Sequence, residues 1–514
     1  MAVSSDNKRI AKNTIYLYIR MFFALIVNLY TSRIVLRTLG VEDYGVYNVV
    51  AGFVSLFGFL NATLSSSVQR FYNYEEAHKG KDGFVNVYVT SFIIHAVIAL
   101  LLLVLLETIG VWYVNNVMIV PDNRLYAANI LFQATSISMI LMIIQISYLG
   151  AVMAREHMNV YAIVSIIDIV LKLIIAIAIS LAECDKLILY GVLLGAVSIV
   201  DLSIYIIYCT KHFPEMKFHF SFDRQLFKSM LSFSGWNLIG TFALMLKGQG
   251  VNMLLNYFFG PIVNAARGVS YQVNSAVSSF TSAITTAFSP QVVTSYAQGN
   301  NSRTINIMFA ESKICFSLMA IIIVPVVLEI DYLLHLWLGD VVPDHTGVFS
   351  ILVLIDTLIC TLNTPCTQLV FATGRIKYYQ ICSTLVNISL IPIAWCLLHL
   401  GCSADSAFVT TIIISCLNQT VCLCLTNKEY SFGVGVYLKK IVLRCLCLIV
   451  LLPIIPGLIR YFMPESLGRV FVISVFSLLI GALLVYSIVF EDSEKSIVKQ
   501  FVRSKINNKK HAES

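Results

Sequence analysis

Apolar runs of about 20 residues, the length that lets a helix cross a bilayer, recur along this chain almost to its end. Hydrocarbon supplies no hydrogen-bond partner, so the backbone of each run must satisfy itself, and that constraint selects helices. Counting such windows gives about fourteen: 14–36, 44–66, 84–106, 126–148, 159–182, 187–209, 232–257, 265–289, 309–330, 346–371, 378–400, 404–426, 436–459 and 468–490. With 58% hydrophobic and 12% charged residues in 514, no stretch remains for a soluble domain. The expected fold is an all-α polytopic membrane protein.

Cytoplasmic loops retain Lys and Arg, which fixes orientation. Lys8, Arg9 and Lys12 precede the first window, and Arg70, Lys79 and Lys81 follow the second. Arg155, then Lys211 to Lys228, Arg303, Arg375 with Lys377, and Lys428 to Lys440 continue the pattern in every second loop. The alternate loops are acidic or neutral, as in Glu329 to His345 with Asp331, Asp340 and Asp344. Both termini are therefore expected in the cytoplasm, which an even number of spans requires. The net charge of +7 is mostly this topological signal and the basic tail, not a nucleic-acid surface.

The first apolar run is too long for a signal peptide, contains Arg20 and lacks a small-residue cleavage site, so it is expected to stay as a helix. Most of the thirteen cysteines fall inside apolar runs and act there as small hydrophobes. Cys422/Cys424 and Cys445/Cys447 are two apart, point to different sides of a helix and have no His or acidic companions, so neither a metal nor any cofactor is expected.

Two adjacent windows break the apolar pattern. Ser232 to Tyr257 holds Asn237, Thr241, Lys247, Gln249, Asn252 and Asn256; Ala265 to Ser289 holds Arg267, Tyr271, Asn274, Ser278, Thr281 and Thr285 on one helical face. Such a face is stable only against protein or water, and a polar cavity for a polar or anionic cargo is the expectation. Lys247, beside Gly248 and Gly250, suggests a broken helix near mid-membrane. Arg20, Asn237, Lys247, Arg267, Asn274 and Ser278 are the candidate substrate-binding residues: the cations suit phosphate or carboxylate oxygens, the amides and hydroxyls suit sugars. The implied cargo is an anionic, sugar-bearing lipid.

Other ionisable groups within spans need partners as well. Asp168 and Lys172, four apart on one helix, can satisfy each other. Asp201 and Asp356 have no evident local partner and are candidates, with that pair, for ion pairing or for coupling to H+ or Na+.

A shift of about 220 residues superposes the first two windows on the seventh and eighth, with Lys8 on Lys228, Phe22 on Phe242, Gly40 on Gly260 and Asn86 on Asn306. Parallel repeats of this kind give two bundles related about the membrane normal. The expected organisation is a six-helix bundle at 1–210, an amphipathic cytoplasmic linker at 211–228, a second bundle at 229–430, a terminal helix pair at 431–490 and a basic tail at 491–514. Phe218, Phe220 and Phe222 with the bases around them suit either contact with anionic inner-leaflet lipid or a solvated linker.

The stretch SRIVLRTLGVEDYGVYNVV, with Leu39, Gly40, Glu42, Asp43, Tyr44, Gly45 and Tyr47, resembles the segment joining the first two helices of polysaccharide transporters, the O-antigen and capsule flippases among them. FSFDRQLFKSMLSFS, entering the seventh window, is similar to the same family. The resemblance implies the fold of the multidrug, oligosaccharidyl-lipid and polysaccharide exporters, with two six-helix bundles around a V-shaped cavity. In the related lipid II flippases, arginines on the first and eighth helices engage the headgroup; Arg20 and Arg267 occupy comparable helices. The expected function is translocation of an undecaprenyl-diphosphate-linked oligosaccharide across a bacterial inner membrane by alternating access, without covalent chemistry. A cation-coupled multidrug exporter of the same superfamily is the alternative, and a membrane-embedded glycan polymerase or ligase is disfavoured by the short outer loops.

Overall fold

The computed structural model describes residues 2–155, 157–216, 223–373, 376–492 and 494–496. The side chains of Arg20 and Asn237, residues 217–222 of the expected linker and the tail beyond 496 lie outside the described residues. Among those described there is no strand. Among the described residues, eleven stretches of helix are long and apolar enough to span a membrane, from Phe23–Ser55 to Leu467–Val489. The fourteen windows read from sequence are not all among them. Windows 14–36 and 44–66 fall on the helix Ala2–Ser55, which Gly40 breaks between them, and on the start of the helix Gly58–Leu105. The helices Arg224–Phe259 and Pro261–Ala297, of 36 and 37 residues, have ample length to cross as well; they are the two that carry the polar residues.

Two units emerge from the packing. Unit 1 comprises 1–269, 337–346 and 387–407, and unit 2 comprises 270–336, 347–386 and 408–514. In unit 1, Val46, Val50, Phe53, Leu106, Leu131, Phe132 and Ile143 form one buried cluster, and Leu64, Tyr72, Phe84, Val87 and Ile146 lie in a second. Unit 2 packs around Phe316, Met319, Leu354, Leu358, Leu369, Tyr437 and Leu448.

Apolar residues also cover the outside: Leu100, Leu101, Leu103 and Val104 are exposed around the buried Leu102. On the helix Leu467–Leu484, Leu478, Leu479 and Leu483 face outward while Ser477 and Gly481 are buried. Small residues inside and large aliphatics outside is the arrangement of a helix in lipid, where burying leucine gains nothing and close backbone approach does.

Chain breaks repeat with the sequence. Gly40 has φ 79° and ψ 171°, and Gly260 has φ 76° and ψ −172°; both need the positive φ that glycine adopts without strain. The same glycine-mediated kink thus recurs 220 residues apart, separating the first two repeat helices in each case. Between these breaks the backbones meet closely within unit 1. A Cβ placed on Gly45 would lie 1.9 Å from the Pro261 carbonyl oxygen, and one on Gly268 would lie 2.4 Å from Asn48 Oδ1.

Charged clusters tie loop ends of unit 1. Arg124 donates from Nε to Asp43 (2.7 Å) and from Nη1 to Asp185 (2.6 Å), while Arg155 pairs with Glu76 and Glu215 and stacks on Phe84 and Phe213. Asp185 also caps the helix Lys186–His212 by accepting from the amides of Leu187 and Ile188. Burial pushes the Asp185 carboxyl up, but Arg124 and those amides outweigh it and hold it below the ordinary 3.8. A depressed carboxylate contributes stability above its unfolded pKa, and that contribution disappears as pH falls through the folded value. Asp185→Ala is therefore expected to cost about 1–2 kcal/mol at pH 7 and less once the pH has fallen through the depressed folded value, read by thermal unfolding of the purified protein at pH 7 and at the acid limit of its folded range. An equal loss at both would refute the electrostatic account.

Candidate substrate cavity

Unit 1 holds an open cavity of about 550 Å³ lined by Tyr47, Asn61, Gln145, Tyr161, Tyr190 and Tyr205, with Ser138, Ser165 and Ser198 between them. Asp168, Lys172 and Asp201 also face it. Lys172 Nζ lies 2.8 Å from an Asp168 oxygen. Asp201, on the neighbouring helix Lys186–His212, lies against both, and its Oδ1 is buried without a hydrogen-bond partner. The Tyr47 and Tyr190 rings meet edge to face at 5.1 Å. The chamber therefore combines amphipathic rings, amides, hydroxyls and charges of both signs, a set that matches polyhydroxylated or charged molecules and no purely apolar one. Its helices are otherwise faced with aliphatic side chains, so the polar interior is a local exception.

The structure thus brings together three of the four residues assigned to ion pairing or coupling. Asp356 lies apart, in unit 2, accepting a hydrogen bond from Ser415. Of the proposed substrate contacts, the described side chains of Lys247, Arg267, Asn274 and Ser278 do not line this cavity. Arg267 is buried and donates from Nη2 to the Gly248 carbonyl at 2.7 Å, which ties together the two polar helices within unit 1. Lys247 is half-buried in unit 1.

In unit 2, Asn274 Oδ1 accepts from Thr357 at 2.6 Å and from Ser278 at 3.2 Å. The expected break beside Lys247 does not occur. The helix runs through Gly248 and Gly250, and a Cβ on Gly250 would meet Ile391 at 2.3 Å, so this glycine admits a neighbouring side chain rather than a kink.

Several polar residues of the anomalous helices serve structure. Asn256 donates to the Ile119 carbonyl and accepts from the Ile119 amide. Asn264 donates to Asn252, which donates to the Asn48 carbonyl. Thr281 bonds Met319 Sδ. These amides and hydroxyls satisfy backbone and side-chain groups of neighbouring segments.

Sequence reasoning missed the tyrosines of the cavity, because Tyr47, Tyr161, Tyr190 and Tyr205 sit in apolar windows where a ring reads as packing. It also missed Glu311 and Lys313, two charges interrupting an apolar run. That interruption was the available signal.

Residues 10–294, more than half of the chain, match the family described as polysaccharide biosynthesis protein. The uncharacterized membrane protein EpsK of Bacillus subtilis (strain 168) is 20% identical over 290 residues, 55% of this chain and 56% of that protein. The match thus spans about half the length of the curated relative. Among solved structures, the lipid II flippase MurJ in its inward closed conformation aligns with a TM-score of 0.69 and 13% identity, covering 92% of this chain and 98% of that one. The eukaryotic MATE transporter AtDTX14 aligns at 0.59 and 13%, covering 82% and 97%. At such identities the likeness speaks for the fold, and the family match speaks for descent: the chain is a multi-pass membrane protein that belongs to the polysaccharide biosynthesis protein family and has the helical fold shared by MurJ and the MATE transporters.

Proposed function

We propose that the chain is a flippase that moves an undecaprenyl-diphosphate-linked oligosaccharide from the inner to the outer leaflet of a bacterial inner membrane by alternating access, with both termini cytoplasmic. The observation that carries the reading is the polar, tyrosine-rich chamber inside helices that otherwise present hydrocarbon to their surroundings. Membership of a polysaccharide biosynthesis family and the fold of a lipid II flippase support it. Nothing in the reading requires covalent chemistry, and the chain acts as a transporter rather than an enzyme.

In this reading Arg20, Lys247 and Arg267 supply positive charge to the diphosphate, and Asn237, Asn274 and Ser278 supply hydrogen bonds to sugar. Arg267 does so only after leaving the Gly248 carbonyl, so its engagement is tied to movement of the helix Arg224–Phe259. Asp168, Lys172, Asp201 and Asp356 are proposed for ion coupling. A charge-assisted contact contributes about 1.5–3 kcal/mol. Lys247→Ala, expressed at wild-type level in a strain lacking the chromosomal copy, is accordingly expected to reduce surface glycan by about tenfold or more. The deletion strain itself should accumulate lipid-linked oligosaccharide on the cytoplasmic leaflet; its continued appearance outside defeats the proposal.

A second reading has one observation in its favour. The cavity holds two carboxylates and a single ammonium, and rings beside carboxylates suit an organic cation, as in a multidrug exporter. Ethidium efflux that depends on the chain, in cells with normal surface glycan, would establish that reading instead.

A further inference from the structure

Glu311 lies on the helix Asn301–Leu328 in unit 2 and is fully buried, with neither Oε1 nor Oε2 bonded to any partner. Nearby charges are already committed. Lys313, two residues along, is held by Glu494 at 3.0 Å and Glu491 at 3.5 Å. On the elements packed against this helix, Lys440 pairs with Glu491, Arg444 donates to the Val489 carbonyl and Arg469 pairs with Glu329. Lys439 and Arg460 are exposed. Tyr437 directs its hydroxyl to Ser312 and to the Leu362 carbonyl, and Cys315, one turn along, faces Thr285. None of these interactions includes either carboxyl oxygen.

We propose that Glu311 is a proton-binding site: it carries a proton in the conformation seen here and releases it only in a conformation that admits water to the helix Asn301–Leu328. An ionised carboxylate taken out of water is tolerated only when a cation or several donors compensate it, and the geometry around Glu311 offers neither. The neutral acid needs much less. A metal ion at this position would require further oxygen ligands converging with the carboxylate, and the hydroxyls and carbonyls named above are turned to one another.

Because only the neutral form suits the buried state, proton occupancy and the choice of conformation are linked, and each must bias the other. The site therefore responds to a pH difference across the membrane whatever the cargo is. It stands apart from the flippase reading, and its test needs no lipid-linked substrate.

The experiment is infrared difference spectroscopy on the purified full chain in nanodiscs between pH 5 and pH 9, with and without sodium chloride, for the wild type, Glu311→Gln and Glu311→Leu. Amide hydrogen exchange over 301–328 is measured in the same samples. A protonated-carboxyl carbonyl band is expected in the wild type at pH 7, absent from both variants. Its loss toward alkaline pH should accompany a fall in protection factor, which divides out the base-catalysed rise of intrinsic exchange with pH, of about tenfold in the wild type and less than twofold in Glu311→Gln, since tenfold corresponds to the population shift a single linked proton imposes per pH unit. The isosteric Gln should fold, and Leu supplies the subtraction if it does not. Absence of the band at pH 7, its loss without a change in protection, its removal by sodium at constant pH, or failure of both neutral variants to fold would each overturn the assignment.

Discussion

Unfolding of a Glu329→Ala variant, followed by heating the purified protein in detergent, is expected to show a loss of about 3–5 kcal/mol relative to wild type, the usual consequence of removing one partner from a buried ion pair. Arg469 Nη2 donates to Glu329 Oε2 at 2.7 Å, with the two side chains 6% and 0% exposed. Arg469 Nη1 also donates to the Met463 carbonyl at 3.1 Å. Glu329 follows the last residue of the helix Asn301–Leu328, and Arg469 opens the helix Leu467–Leu484, so the pair joins the ends of two helices. The truncation leaves the guanidinium only the exposed Glu465, 3.5 Å away, to neutralise it. The double variant Glu329→Met, Arg469→Met should lose less than either single alanine, because no charge remains to be paired. Single variants as stable as wild type would show that water, rather than Glu329, balances the arginine.

Gly45 is the position where the smallest addition is expected to do the most harm. A Cβ there would sit 1.9 Å from the Pro261 carbonyl oxygen and 2.5 Å from its carbon, both backbone atoms. At Gly52 the Cβ would instead meet Asn252 Nδ2 at 2.2 Å and Gln249 Oε1 at 2.9 Å, the far ends of side chains. Side-chain ends can turn away at the cost of a hydrogen bond, here from Asn252 to the Asn48 carbonyl, but two helix backbones move only together. Gly45→Ala is therefore expected to cost about 3 kcal/mol or more, the upper range of overpacking, and Gly52→Ala about 1–2 kcal/mol. Thermal unfolding and folded yield of the two variants check the order. Equal effects would mean that the approach at Gly45 relaxes readily.

These results separate what a sequence encodes locally from what it leaves to packing. The membrane class, the helical content and the register of Gly40 with Gly260 were legible, because apolar length and glycine placement are local to the chain, whereas the kink at both glycines was not. The Tyr-Gly-x-Tyr motif was recognisable as a family mark, yet the reason for Gly45 was not. Its constraint is the carbonyl of Pro261, 216 positions away in the chain. The same holds for polar residues in spans. Asn256 and Arg267 look like cavity-lining groups by composition, and the structure uses one to clamp the Ile119 backbone and the other to hold the Gly248 carbonyl. Asp168 with Lys172 was readable because four residues bring two side chains together on one helix. Asp201 joining them was not.

The chain by itself determined that it enters a membrane as helices, since each apolar run must close its own backbone hydrogen bonds wherever it is placed. It determined the family for a similar reason: its marks are written in neighbouring residues. Which polar groups meet one another, which face a chamber and which, like Glu311, are left alone was decided only by the tertiary packing, because a side chain's partner depends on helices that sequence distance does not bring near.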